Sequence, residues 1–174
     1  MLISSILAFT ACDNSGDGVS DAPKATPTPT PQPDIDPSTV DVITETWVAT
    51  ELTFETDDKS AHNFETKMDA VFTNKNTGTT ITVPSFWYES NIFKVRFAPT
   101  EYGVWEYKTV CETDKNLDGK TGTIGANEYK GDLEIYKHGF VKVDPTKKYF
   151  VYADGTPFFY LGDTHWTLLT EEFD

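Results

Sequence analysis

Short runs of alternating apolar and polar residues dominate the middle of the chain. In residues 91–99, Phe93, Val95 and Phe97 fall on one face of an extended strand, and two basic residues fall on the other. A period of two is typical of strands that bury one face. Similar alternation predicts further strands at residues 51–55, 67–73, 79–83, 104–111 and 132–136, with residues 86–90 as another candidate.

The segments between these runs are rich in turn-forming residues. Residues 74–79 and 116–120 combine Asn, Asp and Gly, and Pro99 and Gly103 flank a corner. These residue types favour tight turns between strands, and no long helical pattern interrupts the runs. We therefore predict an all-β fold for residues 44–137, an immunoglobulin-like antiparallel β-sandwich.

The pattern changes at residue 138. Short strands are predicted at residues 140–143 and 149–154, a tight turn at residues 153–157, and a continuously apolar strand at residues 158–163. An uninterrupted apolar strand indicates burial on both faces, which is typical of the parallel strands inside an α/β barrel. Residues 138–174 are therefore predicted to begin a second domain, as the truncated first-strand region of a (β/α)8 barrel.

The N-terminus has the pattern of an export signal followed by a spacer. Residues 1–12 contain an apolar run too short to cross a bilayer core of about 30 Å. The sequence AFTAC resembles the lipobox of bacterial lipoproteins, which implies diacylation of Cys12; a secretory signal cleaved nearby is the alternative. Residues 13–43 carry six of the ten prolines, which predicts an extended, solvated linker. We expect an exported protein, lipid-anchored at the cell envelope or cell surface.

Charge narrows the range of partners. The chain has 14 basic and 28 acidic residues, a net charge of −14, which opposes binding to nucleic acid or to anionic lipid headgroups. Membrane contact is therefore expected only through the lipid anchor. Polysaccharides remain compatible, because stacking and hydrogen bonds hold them. Trp87 is a candidate for such stacking, although a core or interface position is the preferred interpretation.

Two features of the sequence could serve other chemistry, but a structural role is the better interpretation of both. Cys111 shares the inward face of its run with Trp105, so we predict a buried free thiol, with a disulfide to Cys12 as the alternative. Residues 114–119 match the opening of a calcium-binding loop, but Gly125 occupies the position where that loop needs a bidentate Glu. No metal site and no cofactor are predicted.

Two longer motifs resemble known domains. The run YFVYADGTPFFYLGDTHW at residues 149–166 resembles the opening of bacterial apiosidase-like glycoside-hydrolase barrels. The run RFAPTEYGVWEY at residues 96–107 is similar to the immunoglobulin-like N-terminal domain of unknown function that accompanies many such barrels. The resemblance implies that Asp163, His165 and Trp166 line the sugar subsite. Asp163 would accept from hydroxyls, His165 would donate or accept, and Trp166 would form a wall against the ring face.

The resemblance also implies where catalysis would occur. Glycoside hydrolysis uses a general acid and a second carboxylate, which a barrel of at least about 200 residues would carry on later strands. We therefore expect the catalytic residues downstream of Asp174, and an N-terminal fragment that is not catalytic alone. Residues 158–174 are expected not to be firmly packed. The alternatives are a non-enzymatic glycan-binding or adhesion module and, for the site residues, a turn cap at Asp163 with packing roles for the other two. No oligomeric state is predicted.

Overall fold

The computed structural model describes residues 31–57 and 65–162. All but one of the described residues belong to one compact unit, which begins at Gln32. Within the described ranges the fold is nearly all β, with one 3-10 turn at Pro37–Thr39 and one short α-helix at Glu134–Lys137. No helix in these ranges has the length and apolar character needed to span a membrane.

Eight strands form two facing sheets: β1 (Val42–Glu45), β2 (Thr50–Glu55), β3 (Asp69–Asn74), β4 (Thr80–Pro84), β5 (Phe86–Glu89), β6 (Ile92–Phe97), β7 (Gly103–Val110) and β8 (Thr121–Asn127). The larger sheet has the order β1-β8-β7-β3-β4, and the smaller has the order β2-β6-β5. Strand β1 runs parallel to β8, whereas the other neighbouring pairs are antiparallel. The two sheets form a β-sandwich, as the sequence predicted.

Aromatic side chains join the two sheets across the core. The ring of Phe72 in β3 stacks on Phe97 in β6 with a centroid distance of 3.8 Å, and Trp105 meets Phe97 edge-on at 5.2 Å. All three side chains are essentially inaccessible to solvent. Burial of each large apolar side chain contributes about 1.5–3 kcal/mol, so this trio is a main source of sandwich stability.

The predicted strand at residues 132–136 is wrong. Residues Glu134–Lys137 form the short helix α1, and Leu133 and Ile135 are 61% and 64% exposed instead of facing the core. Strand β8 was not predicted, because Gly122 and Gly125 interrupt its apolar pattern. Strand β1 was also missed, since it begins inside the predicted linker.

The described end of the predicted linker is attached to the sandwich. The Ile35 N–H donates to Asn127 Oδ1 at 2.8 Å, and the Asp41 carboxylate accepts from the Thr123 N–H at 2.7 Å. A Cβ atom on Gly125 would come within 3.1 Å of Ile35, so glycine is needed to let this segment approach β8. Residues 35–41 therefore contact the sandwich, although most of them remain exposed to solvent.

The loop that resembles a calcium site is part of the core. Its Leu117 is fully buried, Asp114 accepts from the Asn116 N–H at 2.7 Å, and Asp118 accepts from the Cys111 N–H at 3.0 Å. Cys111 is a buried free thiol, as predicted. In the described part of the chain, no cluster of His, Cys, Asp or Glu side chains could hold a metal ion.

A separate three-stranded antiparallel sheet follows α1: β9 (Lys142–Val143), β10 (Phe150–Val151) and β11 (Pro157–Phe158), in the order β11-β10-β9. The predicted turn between the last two strands is confirmed. The predicted strand beyond Phe158 is not, because residues 159–162 lie in no strand. Phe159 and Leu161 are each 83% exposed, in line with the expectation of loose packing for this described part.

Candidate functional site

The site residues predicted from the sequence, Asp163, His165 and Trp166, lie outside the described residues, as does Cys12. The structure does describe the hairpin that leads toward them. Asp154 Oδ1 accepts from the Thr156 N–H at 2.8 Å, and the Tyr152 N–H donates to the Thr156 carbonyl at 2.8 Å. These bonds close the turn and direct the chain from β10 into β11.

A charged cluster holds this turn against α1. The Nδ1 atom of His138 lies 2.6 Å from Asp154 Oδ2, and its Nε2 atom lies 3.1 Å from Glu134 Oε2. Because carboxylates only accept, an imidazolium that donates from both nitrogens satisfies both partners. The hydrogen bond to Asp154, followed by that to Glu134, raises the pKa of His138 above its ordinary value.

The two acids in the cluster respond in the opposite direction. The pKa of Glu134 is lowered, first by its hydrogen bond from Lys137 and then by that from His138. Partial desolvation of Asp154 acts to raise its pKa, but hydrogen bonds from Thr156 and His138 outweigh it and leave a lowered value. The cluster is thus built from mutually stabilised charges at the junction of α1 and the hairpin.

An apolar groove lies beside this cluster, between the sandwich and the hairpin. The groove has a volume of about 420 Å³, and its lining includes Trp47, Ile135, Phe140, Tyr152 and Phe158. Two edge-to-face ring pairs form much of its wall, Trp47 with Phe140 at 5.1 Å and Tyr152 with Phe158 at 5.2 Å. A lining with so few polar atoms suits an apolar side chain better than a sugar, which needs donors and acceptors around its hydroxyls.

Backbone geometry fixes one side of the groove. Trp47 has a left-handed φ of 67°, and its N–H donates to the Pro99 carbonyl at 2.7 Å. Gly139, with φ of 77°, approaches so closely that an added Cβ would lie 2.7 Å from Trp47 Cζ2 and 2.8 Å from Ala153 Cβ. Glycine is therefore required where the hairpin region packs against the sandwich.

The aromatic run at residues 86–88 forms a second candidate surface. Trp87 is 41% exposed, with its Nε1–H donating to the Ser90 carbonyl, and Tyr88 is 52% exposed. However, the Lys94 ammonium lies 3.9 Å from the centre of the Tyr88 ring, which occupies one stacking face. Sequence reasoning singled out Trp87 and missed Tyr88. The alternation of side chains along residues 86–90 could have indicated Tyr88, because it sends neighbouring residues to opposite faces of the strand.

The basic residues beneath this run are themselves paired. Glu51 accepts from Lys94 at 2.6 Å and from Arg96 at 2.9 Å, and these two bonds lower the pKa of Glu51. Arg96 also lies over the ring of Phe86, at 4.9 Å from its centre. The outer face of the smaller sheet is therefore a satisfied network of aromatic rings and ion pairs, with limited open ring surface.

Comparison with known protein families gives one match in the sandwich and a second match in the C-terminal region. Residues 43–112 match the model of a domain of unknown function, DUF5060, and residues 144–172 match the model named apiosidase-like, catalytic domain. The first match covers most of the sandwich, and the second begins between β9 and β10. No curated protein matches the chain.

A solved structure is similar to both the sequence and the fold. It is the crystal structure of "a putative glycoside hydrolase" from Bacteroides vulgatus, with 30% sequence identity and a TM-score of 0.57. The similarity covers 68% of this chain and 21% of that protein, so the matched region is about a fifth of the relative's length. The resemblance to apiosidase-like proteins that carry an N-terminal domain of unknown function is confirmed, and so is the relation to glycoside hydrolases.

Proposed function

We propose that this chain is the N-terminal part of an exported, lipid-anchored glycoside hydrolase that acts on polysaccharide. The observation that carries the proposal is the match of residues 144–172 to an apiosidase-like catalytic domain, which follows a sandwich that matches DUF5060 over residues 43–112. The similar protein from Bacteroides vulgatus, described as a glycoside hydrolase, supports the same class of reaction. Residues 138–174 would then belong to the first-strand region of a (β/α)8 barrel.

The sandwich is proposed to be an immunoglobulin-like accessory domain. Its smaller sheet has the spatial order β2-β6-β5, and its larger sheet contains β8, β7, β3 and β4 as neighbours in that spatial order. These orders correspond to the B-E-D and G-F-C-C′ sheets of immunoglobulin-like folds, with β1 added beside the last strand. Cys12 would carry the lipid, and residues 13–32 would hold the sandwich away from the membrane surface.

In the proposed mechanism, this chain binds the sugar and a later part of the catalytic domain cleaves it. Asp163 would accept hydrogen bonds from sugar hydroxyls, His165 would donate to or accept from a neighbouring oxygen, and Trp166 would stack on the ring. The general acid and the second carboxylate would come from strands downstream of Asp174. The hairpin, closed by Asp154 and Thr156, would set the direction in which the chain enters the subsite.

The test uses the full-length protein and a panel of plant and host oligosaccharides. The Asp163→Asn variant should lower kcat/KM by roughly 10- to 150-fold, since a hydrogen bond to a charged group contributes about 1.5–3 kcal/mol. Asp132→Asn, at an exposed position before α1, is the matched control and should keep full activity. Full-length protein that hydrolyses no glycan would refute the proposed reaction.

A binding or adhesion module is the second candidate, because Trp87 and Tyr88 are partly exposed on one sheet. A glycan array probed with the 174-residue chain separates the two candidates. Binding that is lost in both Trp87→Ala and Tyr88→Ala, but kept in Val110→Ala, would favour the binding module. Absence of binding by the chain, together with hydrolysis by the full-length protein, would favour the enzyme.

A further inference from the structure

Exposed apolar side chains are concentrated in one segment of the structure. Of the fourteen large apolar or aromatic side chains that are exposed in the described residues, ten lie within residues 133–161. This segment is less than a quarter of the described part of the chain. They are Leu133, Ile135, Phe140, Val141, Val143, Tyr149, Phe150, Phe159, Tyr160 and Leu161. Clustered exposure of this kind marks an interaction surface rather than ordinary scatter.

The same segment has almost no core of its own. Within residues 133–161, the only buried hydrophobic side chain is Val151, and Asp144 is the one buried charged residue. Its three strands have two residues each. A sheet this small needs packing against another element for independent stability. The apolar side chains on its surface are therefore available to a partner.

Part of this exposed apolar surface is one side of the hairpin sheet. Phe150 pairs with Val143 on one side and with Phe158 on the other, so all three project from the same side of the sheet. Phe158 also lines the groove beside Trp47 and Phe140. The groove and the side of the hairpin sheet that carries Val143, Phe150 and Phe158 thus meet at Phe158. We name these two surfaces together the docking face.

We propose that the docking face is the seat of the downstream part of the catalytic domain that begins within this segment. The inference rests on the proposed function, because it requires such a domain to follow. Two observations identify this occupant. The match to the catalytic domain starts at residue 144, inside the segment, and the similar solved protein extends far beyond the matched fifth of its length.

The docking face would also fix the catalytic domain relative to the sandwich. Trp47, Ala49 and Ala98 line the groove from the sandwich side, whereas Tyr152 and Phe158 line it from the region matched to the catalytic domain. An apolar side chain seated between them would contact both domains at once. The sandwich is therefore part of the scaffold that holds the start of the first barrel strand, and not a module on a flexible tether.

Thiol labelling of the full-length protein tests this inference. Val143→Cys and Phe150→Cys place thiols on the docking face, at positions that are 55% and 42% exposed in this chain. Thr82→Cys, on an exposed edge of the larger sheet, is the matched control, and the buried Cys111 gives the background. In the full-length protein, the two docking-face thiols should react at least about tenfold more slowly than the control thiol.

Each outcome of the labelling decides the inference. Equal labelling rates at all three positions, in a protein that hydrolyses glycans, would overturn the docking face and leave the proposed function intact. Protection that disappears on dilution would show that a second copy covers the face, and would also overturn it. Concentration-independent protection without hydrolysis of any glycan would support the docking face while refuting the hydrolase.

Discussion

The packing of Gly139 against Trp47 gives the sharpest test of how the hairpin region is held on the sandwich. In Gly139→Ala, the new Cβ would lie 2.7 Å from Trp47 Cζ2 and 2.8 Å from Ala153 Cβ, closer than atoms in contact allow. Trp47 has little freedom to move, because its strained backbone is tied to the Pro99 carbonyl. Overpacking of this kind costs about 1–3 kcal/mol. The left-handed φ of 77° adds roughly 1–2 kcal/mol for alanine.

Gly155→Ala separates these two costs. Gly155 also has a positive φ, 92°, but an added Cβ there would meet nothing within 4 Å. The control therefore carries the conformational cost without the clash. The two variants should differ by about 1–3 kcal/mol, which corresponds to a roughly 5- to 150-fold difference in the local opening equilibrium.

Native-state hydrogen exchange measures that difference directly. The Asp144 N–H, bonded to the Tyr149 carbonyl at 3.0 Å, reports opening of the hairpin sheet without touching either glycine. Its protection should fall clearly further in Gly139→Ala than in Gly155→Ala. Equal protection in the two variants would refute the claim that contact with Trp47 holds the hairpin region in place.

Three further predictions follow from the structure. Leu117→Ala should destabilise the sandwich by about 3 kcal/mol in denaturant unfolding, with no response to calcium, whereas Lys115→Ala in the same loop should change stability by less than about 0.5 kcal/mol. The pKa of His138 is raised in the folded state, so its contribution to the stability of the hairpin region is complete below a pH of about 6.5 and is lost as the pH rises through the folded pKa. Hydrogen-exchange protection of the hairpin amides should therefore fall as the pH rises through this range. The His138→Gln variant should remove this pH dependence. Phe97→Ala, which removes a ring shared by the Phe72 stack and the Trp105 contact, should cost about 3–5 kcal/mol by thermal unfolding, and a loss below 1 kcal/mol would contradict the described core.

The sandwich was predictable because most of its strands bury one face only. Residues 51–55 and 91–99 alternate cleanly, and the structure places Leu52, Val95 and Phe97 in the core as that alternation requires. Strand β8 was hidden because two glycines remove side chains from its pattern. One of them, Gly125, is small so that the N-terminal segment can pack over it, which is a long-range requirement that no local pattern contains.

Predictions from local sequence patterns also failed in the C-terminal segment, for a related reason. Leu133 and Ile135 alternate like a strand, but Leu133 is the N-cap of a short helix, Ile135 lies within it, and both side chains are exposed. Phe159 and Leu161 look like members of a buried strand and are instead exposed in this structure. Under the proposed docking, these apolar residues would pack against the downstream part of the catalytic domain, and so they carry the pattern of a core without forming one in the described part of the chain.

The hairpin turn was the part of the candidate site that the sequence predicted well. Asp154 and Gly155 have the side-chain acceptor and the positive φ that the turn requires, and both requirements are local. The apolar groove was not predicted, since Trp47 and Phe158 are more than a hundred residues apart in the chain. Only the tertiary fold brings them to one site.

Hydrogen exchange at residues 140–158, compared between the 174-residue chain and the full-length protein, tests the central claim most directly. If these residues are the base on which a catalytic domain is built, their amides should be at least about tenfold better protected in the full-length protein. The amides of β3 and β7 serve as an internal reference and should exchange alike in both proteins. Identical exchange at residues 140–158 in the two proteins would contradict the account.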